Sequence, residues 1–285
     1  MSAEAAAPAL RVARPRARRF TVLAATLYES RTLLGAACGY IVIIGLLVGL
    51  LLPAFKTLNL QIYLTGTLGS LLGGGATLGP NTPLFAAYLA LELYTSFFML
   101  LFGGVLAYAA GASISRNIED GTLDLTLARP VGRVRLYLEK WAAMLVGGAL
   151  ILVVSLLTAY AGTLFFPNAT LHWTWFLLGN LDVAAMLFAV VGMGMLVSAV
   201  TSAGRAGGGA AVMVVVFWYF CQTFGSAGDR LAFLQYLGPY YYAPSSHVIT
   251  TEQWTDPWKL LVPVAAGLVF GLAGLVYFRR RDITA

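Results

Sequence analysis

The chain has 285 residues, 59% of them apolar and only 11% charged, against about 25% charged in soluble domains. A chain of this size cannot hide so much apolar surface in a water-soluble fold, so the bilayer is its natural solvent. The net charge of +6 comes without a basic patch interleaved with aromatics, which leaves nucleic-acid binding unsupported and makes the charge a statement about membrane orientation.

The N-terminal basic run "RVARPRARR" is not followed by a short apolar core and cleavage site, so the chain is expected to stay uncleaved. Phe20, Leu23, Ala24 and Leu27 recur at helical spacing, with Arg18, Thr21, Glu29 and Arg31 elsewhere around the turn. Residues 1–32 are therefore expected as a cytoplasmic basic tail and an interfacial helix. Residues 33–285 are expected to form one six-span, all-α integral membrane domain. The spans are Leu33 to Leu52, Leu84 to Ala112, Trp141 to Phe166, Trp175 to Thr201, Ala206 to Phe224 and Leu260 to Phe278. A bilayer core needs about 20 apolar residues of helix, which each stretch roughly supplies. Two charges lie inside them, Glu92 and Asp182.

Fifteen of the 18 basic residues fall on one side of this arrangement; Lys56, Arg230 and Lys259 fall on the other. The positive-inside rule then puts both termini in the cytoplasm. A seventh span through the glycine-rich stretch Thr65 to Phe85 would invert that bias, so Pro53 to Pro83 is expected as an external connector. Gly225 to Trp258 is aromatic and broken by Gly238, Pro239 and Pro244. It is expected as an outer, re-entrant-like segment before the sixth span.

Reactive constellations do not emerge. His172 and His247 fall in outer loops without metal-ligand spacing, and with Glu252 and Asp256 they read as surface residues. Cys38 and Cys221 lie in separate apolar runs and read as unpaired thiols. Nothing resembles a phosphate-binding GxxxxGK[ST] loop, so any ATP must be bound by another chain. Glu92 and Asp182 are candidate translocation-pathway residues, because each costs about 2.5 kcal/mol or more at mid-membrane. A packing role through hydrogen bonds within the bundle is the alternative. "GMGM" from Gly192 and "GRAGGGAA" from Gly204 read as close-packing sites between helices.

The polar stretch "SISRNIEDGTLDLTLARPVGRVRLYLEKW", Ser113 to Trp141, is cytoplasmic by this topology and joins spans two and three. Span two can continue to about Asp120, where Gly121 lets the chain turn. Thr122 can then cap a short amphipathic helix carrying Leu123, Leu125 and Leu127, which Pro130 ends. Such an apolar, polar-rimmed knob at the tips of two spans suits a soluble partner; a helix lying on anionic lipid is the alternative.

This stretch resembles the cytoplasmic coupling segment of ABC transporter permeases of the type-2 exporter class. Glu119, Gly121, Thr122, Leu123, Pro130, Val131 and Arg133 follow that family's pattern in order, while Glu139-Lys140 stands where the family has glycine-lysine. "FTVLAATLYESRTLL" from Phe20 is similar to the family's elbow helix, and "LQYLGPYYYAPSSHVI" from Leu234 to its outer segment. The resemblance implies an alternating-access permease that works as a dimer in the bacterial cytoplasmic membrane. Each half would dock on a cytoplasmic ATP-binding subunit through Glu119, Gly121, Thr122, Leu123, Leu125, Leu127, Pro130 and Arg133. ATP and magnesium would belong to that subunit, with no cofactor on this chain. The cargo is expected to be amphipathic or hydrophobic. A proton-coupled carrier using Glu92 and Asp182, and a non-transporting scaffold, are the alternatives.

Overall fold

The computed structural model describes residues 21–55, 82–122, 132–226 and 229–281, and among them every regular element is helical. The first helix, α1 (Thr21–Phe55), runs unbroken for 35 residues, about 52 Å at helical rise. The interfacial helix and first span expected as two elements are thus one, since nothing in "ESRTLL" around Arg31 breaks a helix. Pro53 sits in its last turn, where the chain is about to leave the helix anyway.

The expected second span is a composite. α2 (Leu84–Leu89) passes into a π-helix (Ala90–Phe102) and then into α3 (Gly103–Ser113). The junction residues Leu89, Ala90, Phe102 and Gly103 all keep right-handed helical angles, so the run is continuous, with a wide middle of the kind that is rare and associated with functional sites. A short helix α4 (Ser115–Glu119) follows. Beyond it stand α5 (Arg133–Phe165), α6 (Trp173–Val200) and α7 (Gly204–Ser226). The outer segment is broken as expected: 3-10 turns at Asp229–Leu237 and Pro239–Tyr242, then α8 (Ser245–Thr251), then a 3-10 turn at Pro257–Leu260 leading into α9 (Leu261–Arg280).

Among the described residues five helices are long and apolar enough to cross a membrane: α1, α5, α6, α7 and α9. α6 is the hub. It packs most extensively against α9 and also against α3 and α8, while α1 pairs with α5 and α7 with α3. Of its most apolar stretch 72% is buried, against 22% for the last helix. Glycines make this possible, because in a bundle without a hydrophobic drive between helices close backbone approach supplies the contact. A Cβ on Gly192 would lie 2.9 Å from the Gly267 Cα, and one on Gly111 would lie 2.6 Å from the Gly207 carbonyl oxygen.

The wide segment stacks its aromatics along one side, Tyr94 on Phe98 and Phe98 on Phe102, each 4.8 Å between ring centres. Tyr94 and Ser155 of α5 share a hydrogen bond of 3.0 Å between their hydroxyls. At this end α8 is folded into the bundle, with Val248, Ile249 and Thr250 buried. Thr82 Oγ1 donates to the Thr250 carbonyl at 2.6 Å, and Glu252, in the left-handed region, ends the helix and meets His172 at the start of α6. Cys38 and Cys221 are both free thiols.

Candidate functional site

At the arginine-rich end of the bundle, the polar stretch is built into the helix ends around it. α3 stops at Ser113, and Ile114 interrupts the ladder before α4. The freed groups find side-chain partners, as buried backbone groups must. Ser113 Oγ donates to the Ala110 carbonyl at 2.8 Å and Ser115 Oγ to the Gly111 carbonyl at 2.9 Å. Ser198 of α6 accepts from the Ile114 and Ser115 amides at 2.8 and 3.2 Å. The break is therefore stitched to the hub helix.

α4 ends at Glu119, and Gly121 turns the chain with φ +63°, a backbone state that glycine enters without strain. The Gly121 amide donates to the Ile118 carbonyl at 3.2 Å, and Thr122 Oγ1 to the Asn117 carbonyl at 3.4 Å. The turn expected at Gly121 is present. The described bond of Thr122 runs backward onto α4, whereas a forward cap on a following helix was expected. Leu123, Leu125, Leu127 and Pro130 lie outside the described residues.

Four helix termini meeting here are capped by a charged side chain from another helix. Glu119 Oε2 accepts the Gly204 amide at 2.7 Å, at the amino end of α7. Glu139 of α5 accepts the Val22 and Leu23 amides at 3.1 and 3.3 Å, at the amino end of α1, while its other oxygen takes Arg135 Nε at 2.7 Å. Lys140 Nζ donates to the Ser113 carbonyl at 2.6 Å, at the carboxyl end of α3. Arg281 Nη1 donates to the Ala199 and Thr201 carbonyls at 2.7 and 2.8 Å, at the carboxyl end of α6. Arg133 closes the ring by donating to the Arg281 carbonyl at 2.8 Å. Carboxylates sit on amino ends and cations on carboxyl ends, the sign the helix dipole favours. Each such charge-assisted bond contributes about 1.5–3 kcal/mol.

Burial makes these bonds consequential. Lys140 is 1% exposed and Glu139 7%, so neither charge can fall back on water if its partner leaves. The Glu29 carboxylate of α1 is near enough to Lys140 to attract it. Gly204 abuts α4 so closely that a Cβ there would lie 2.8 Å from the Arg116 Cα. α4 and the start of α7 are thus held together both by a hydrogen bond and by shape.

Of the residues the sequence singles out, Glu119 and Arg133 join this ring and Gly121 makes its turn. Glu139, Lys140, Arg281 and Ser198 were not singled out. The available signal was the Glu139-Lys140 pair, two opposite charges one step before an uncharged span and at odds with the family pattern. No interaction between Glu92 and Asp182 is present among the described residues. Glu92 is exposed in the first turn of the π-helix. Asp182 is completely buried in α6 and has no hydrogen-bond partner of normal geometry, with Trp254 as its interacting neighbour. Among the described residues no cluster of three His, Cys, Asp or Glu side chains forms a metal site.

Two comparisons with known proteins bear on this arrangement. The model of the ABC-2 family transporter proteins matches residues 76–283, which takes in the composite helix, the polar stretch and everything to the end of α9. No curated protein matches the chain significantly.

Proposed function

The chain belongs to the ABC-2 transporter family, a multi-pass membrane permease of ABC-type transport, and from that premise we propose how it is driven. The composite run 84–113 serves as a sixth span, both termini face the cytoplasm, and the ring of capped helix ends lies on the cytoplasmic side. Two copies form the pathway in a bacterial cytoplasmic membrane. Each docks through 122–129 on a separate ATP-binding subunit, which holds the ATP and magnesium. The cargo is amphipathic or hydrophobic, in keeping with a span set that carries only two acids.

The observation that supports this reading is the capping ring. Force applied to the coupling segment enters at Glu119 and at Arg133, its two flanks. From Glu119 it passes to the amino end of α7 and, through Ser198, to α6. From Arg133 it passes to Arg281 and again to α6, and along α5 through Glu139 and Lys140 to α1 and α3. A push is therefore delivered to helix ends along their axes, where a stiff rod transmits it best. A proton-coupled carrier would need Glu92 and Asp182 on one route; one is exposed and the other sealed, so the ATP-driven reading is preferred.

The test is purification of the tagged chain from host membranes in mild detergent, with mass spectrometry of what accompanies it. A stoichiometric ATP-binding subunit is expected, and Leu123→Asp or Leu127→Asp should release it and abolish coupled ATPase activity. Full ATPase activity in both variants would overturn the docking assignment.

A further inference from the structure

α9 presents two unlike faces. Pro263, Gly267, Gly271, Gly274 and Phe278 are buried against its neighbours. The opposite face, Leu268, Val269, Leu272, Val276 and Tyr277, is exposed and apolar. Toward the arginine-rich end this face carries a shallow groove, open to its surroundings and lined by Leu272, Ala273, Val276, Tyr277, Arg280 and Arg281, all from α9 and its C-cap.

Of the three arginines at this end, Arg280 and Arg281 line the groove and Arg279 precedes them in the chain. Arg281 is committed to the α6 carbonyls. Arg279 and Arg280 are exposed, and among the described residues neither has a hydrogen-bond or ion-pair partner. The one acid next to them in sequence, Asp282, lies outside the described residues. From Leu268 to Arg280 the helix rises about 18 Å, close to the roughly 15 Å depth of one leaflet's hydrocarbon.

We propose that this groove is the seat of an anionic phospholipid, its acyl chains along Leu268, Leu272 and Val276 and its phosphate on Arg279 and Arg280. Two uncommitted guanidinium groups outweigh the partial negative charge of the carboxyl end of α9, and they offer the planar forks that match phosphate oxygens. Tyr277 adds an aromatic ring at headgroup level, where such rings settle. The bound headgroup neighbours Arg281, so lipid charge is sensed next to the cap that holds the end of α6.

A second groove supplies the contrast. It measures about 710 Å³ between the start of α1 and α5, lined by Leu23, Val134 and Leu138 among others. Its arginine, Arg135, is already paired with Glu139. Among the described residues its mouth is electrically balanced, so it offers an anionic headgroup no uncommitted arginine.

The experiment reconstitutes the full-length protein in vesicles of equal parts phosphatidylcholine and phosphatidylglycerol, extracts it in mild detergent and counts retained lipids by native mass spectrometry. It reads no ATPase activity. It rests on the bundle spanning a bilayer and not on the coupling mechanism, so either can fail without the other. The wild type should retain phosphatidylglycerol over phosphatidylcholine by about thirtyfold, from two arginines at roughly 1 kcal/mol each near the surface. Arg279→Gln with Arg280→Gln should lower the ratio severalfold, Arg280→Lys with Arg279→Lys should keep most of it, and Arg135→Gln should leave it unchanged. Equal retention of the two lipids by the wild type overturns the proposal, a result that needs no variant to fold. So does undiminished preference in the double glutamine variant. A lipid-free dimer that Leu272→Trp splits would assign the groove to a second copy instead.

Discussion

Glu119 occupies the junction where the polar stretch meets the membrane-spanning bundle, and its carboxylate does a different job from the one its place in the motif suggests. It holds the Gly204 amide at 2.7 Å, which in the proposed coupling puts it in the transmission, one step behind the docking surface. Glu119→Ala leaves that amide without its acceptor, a loss of about 1–3 kcal/mol at the joint. The ATP-binding subunit should still copurify while its substrate-stimulated hydrolysis falls. Loss of copurification would move Glu119 into the docking surface. Glu139→Ala frees the Val22 and Leu23 amides in the same way, at about 1–3 kcal/mol. Hydrogen exchange of the first turn of α1 should then accelerate, and unchanged exchange would mean that the turn is held by something else. The glutamate that stands in place of the family's glycine acquires its reason here: Glu139 anchors α1, next to the lysine that anchors α3.

Individual helices differ in how they tolerate a side chain, and α7 makes the contrast within one turn. Gly207 is pressed on α3 and α4: a Cβ there would lie 2.7 Å from Ser115 Oγ, on top of its contact with Gly111. Gly209 looks into open space, with nothing within 4 Å. Gly207→Leu should destabilise the bundle by about 1–3 kcal/mol through overpacking, whereas Gly209→Ala should be neutral or stabilising, since alanine favours the helix by about 1 kcal/mol. Thermal melting followed by size-exclusion chromatography separates the two; equal melting would mean that the helices do not cross there. Helix existence was legible because length and hydropathy alone decide it, and α5, α6, α7 and α9 fall within a few residues of expectation apart from the first two turns of α5. The fusion at Arg31 and the wide segment at Ala90–Phe102 were not legible. Periodicity reports which residues are apolar, and a change from i+4 to i+5 bonding or an unbroken helix across an interface alters none of them.

For the molecule as a whole, the turn at Gly121 and the flanks Glu119 and Arg133 could be read from the chain, because they lie within one short motif. The ring they belong to could not. Its partners lie far apart in sequence, as Arg133 and Arg281 do, separated by 148 residues, and no local pattern announces a pair that only the packed bundle brings together. Arg281→Ala tests whether the ring acts as a unit. It should loosen the carboxyl end of α6 and lower coupled ATPase activity about as much as Glu119→Ala, although the two residues cap different helices. If the two substitutions together cost the sum of each alone, the caps act independently; the shared route through α6 predicts less than the sum.

The order in which the caps are synthesised has a further consequence, for assembly in the living membrane. When α1 and α3 leave the ribosome, their ends are unfinished; Glu139 and Lys140 complete both only when α5 arrives. The amino end of α7 finds Glu119 already waiting. The carboxyl end of α6 is capped last, since Arg281 is made after the last helix is complete. A newborn chain in which every described helix has been made still lacks the cap on α6 until that arginine emerges, so this contact is the last of the ring to close.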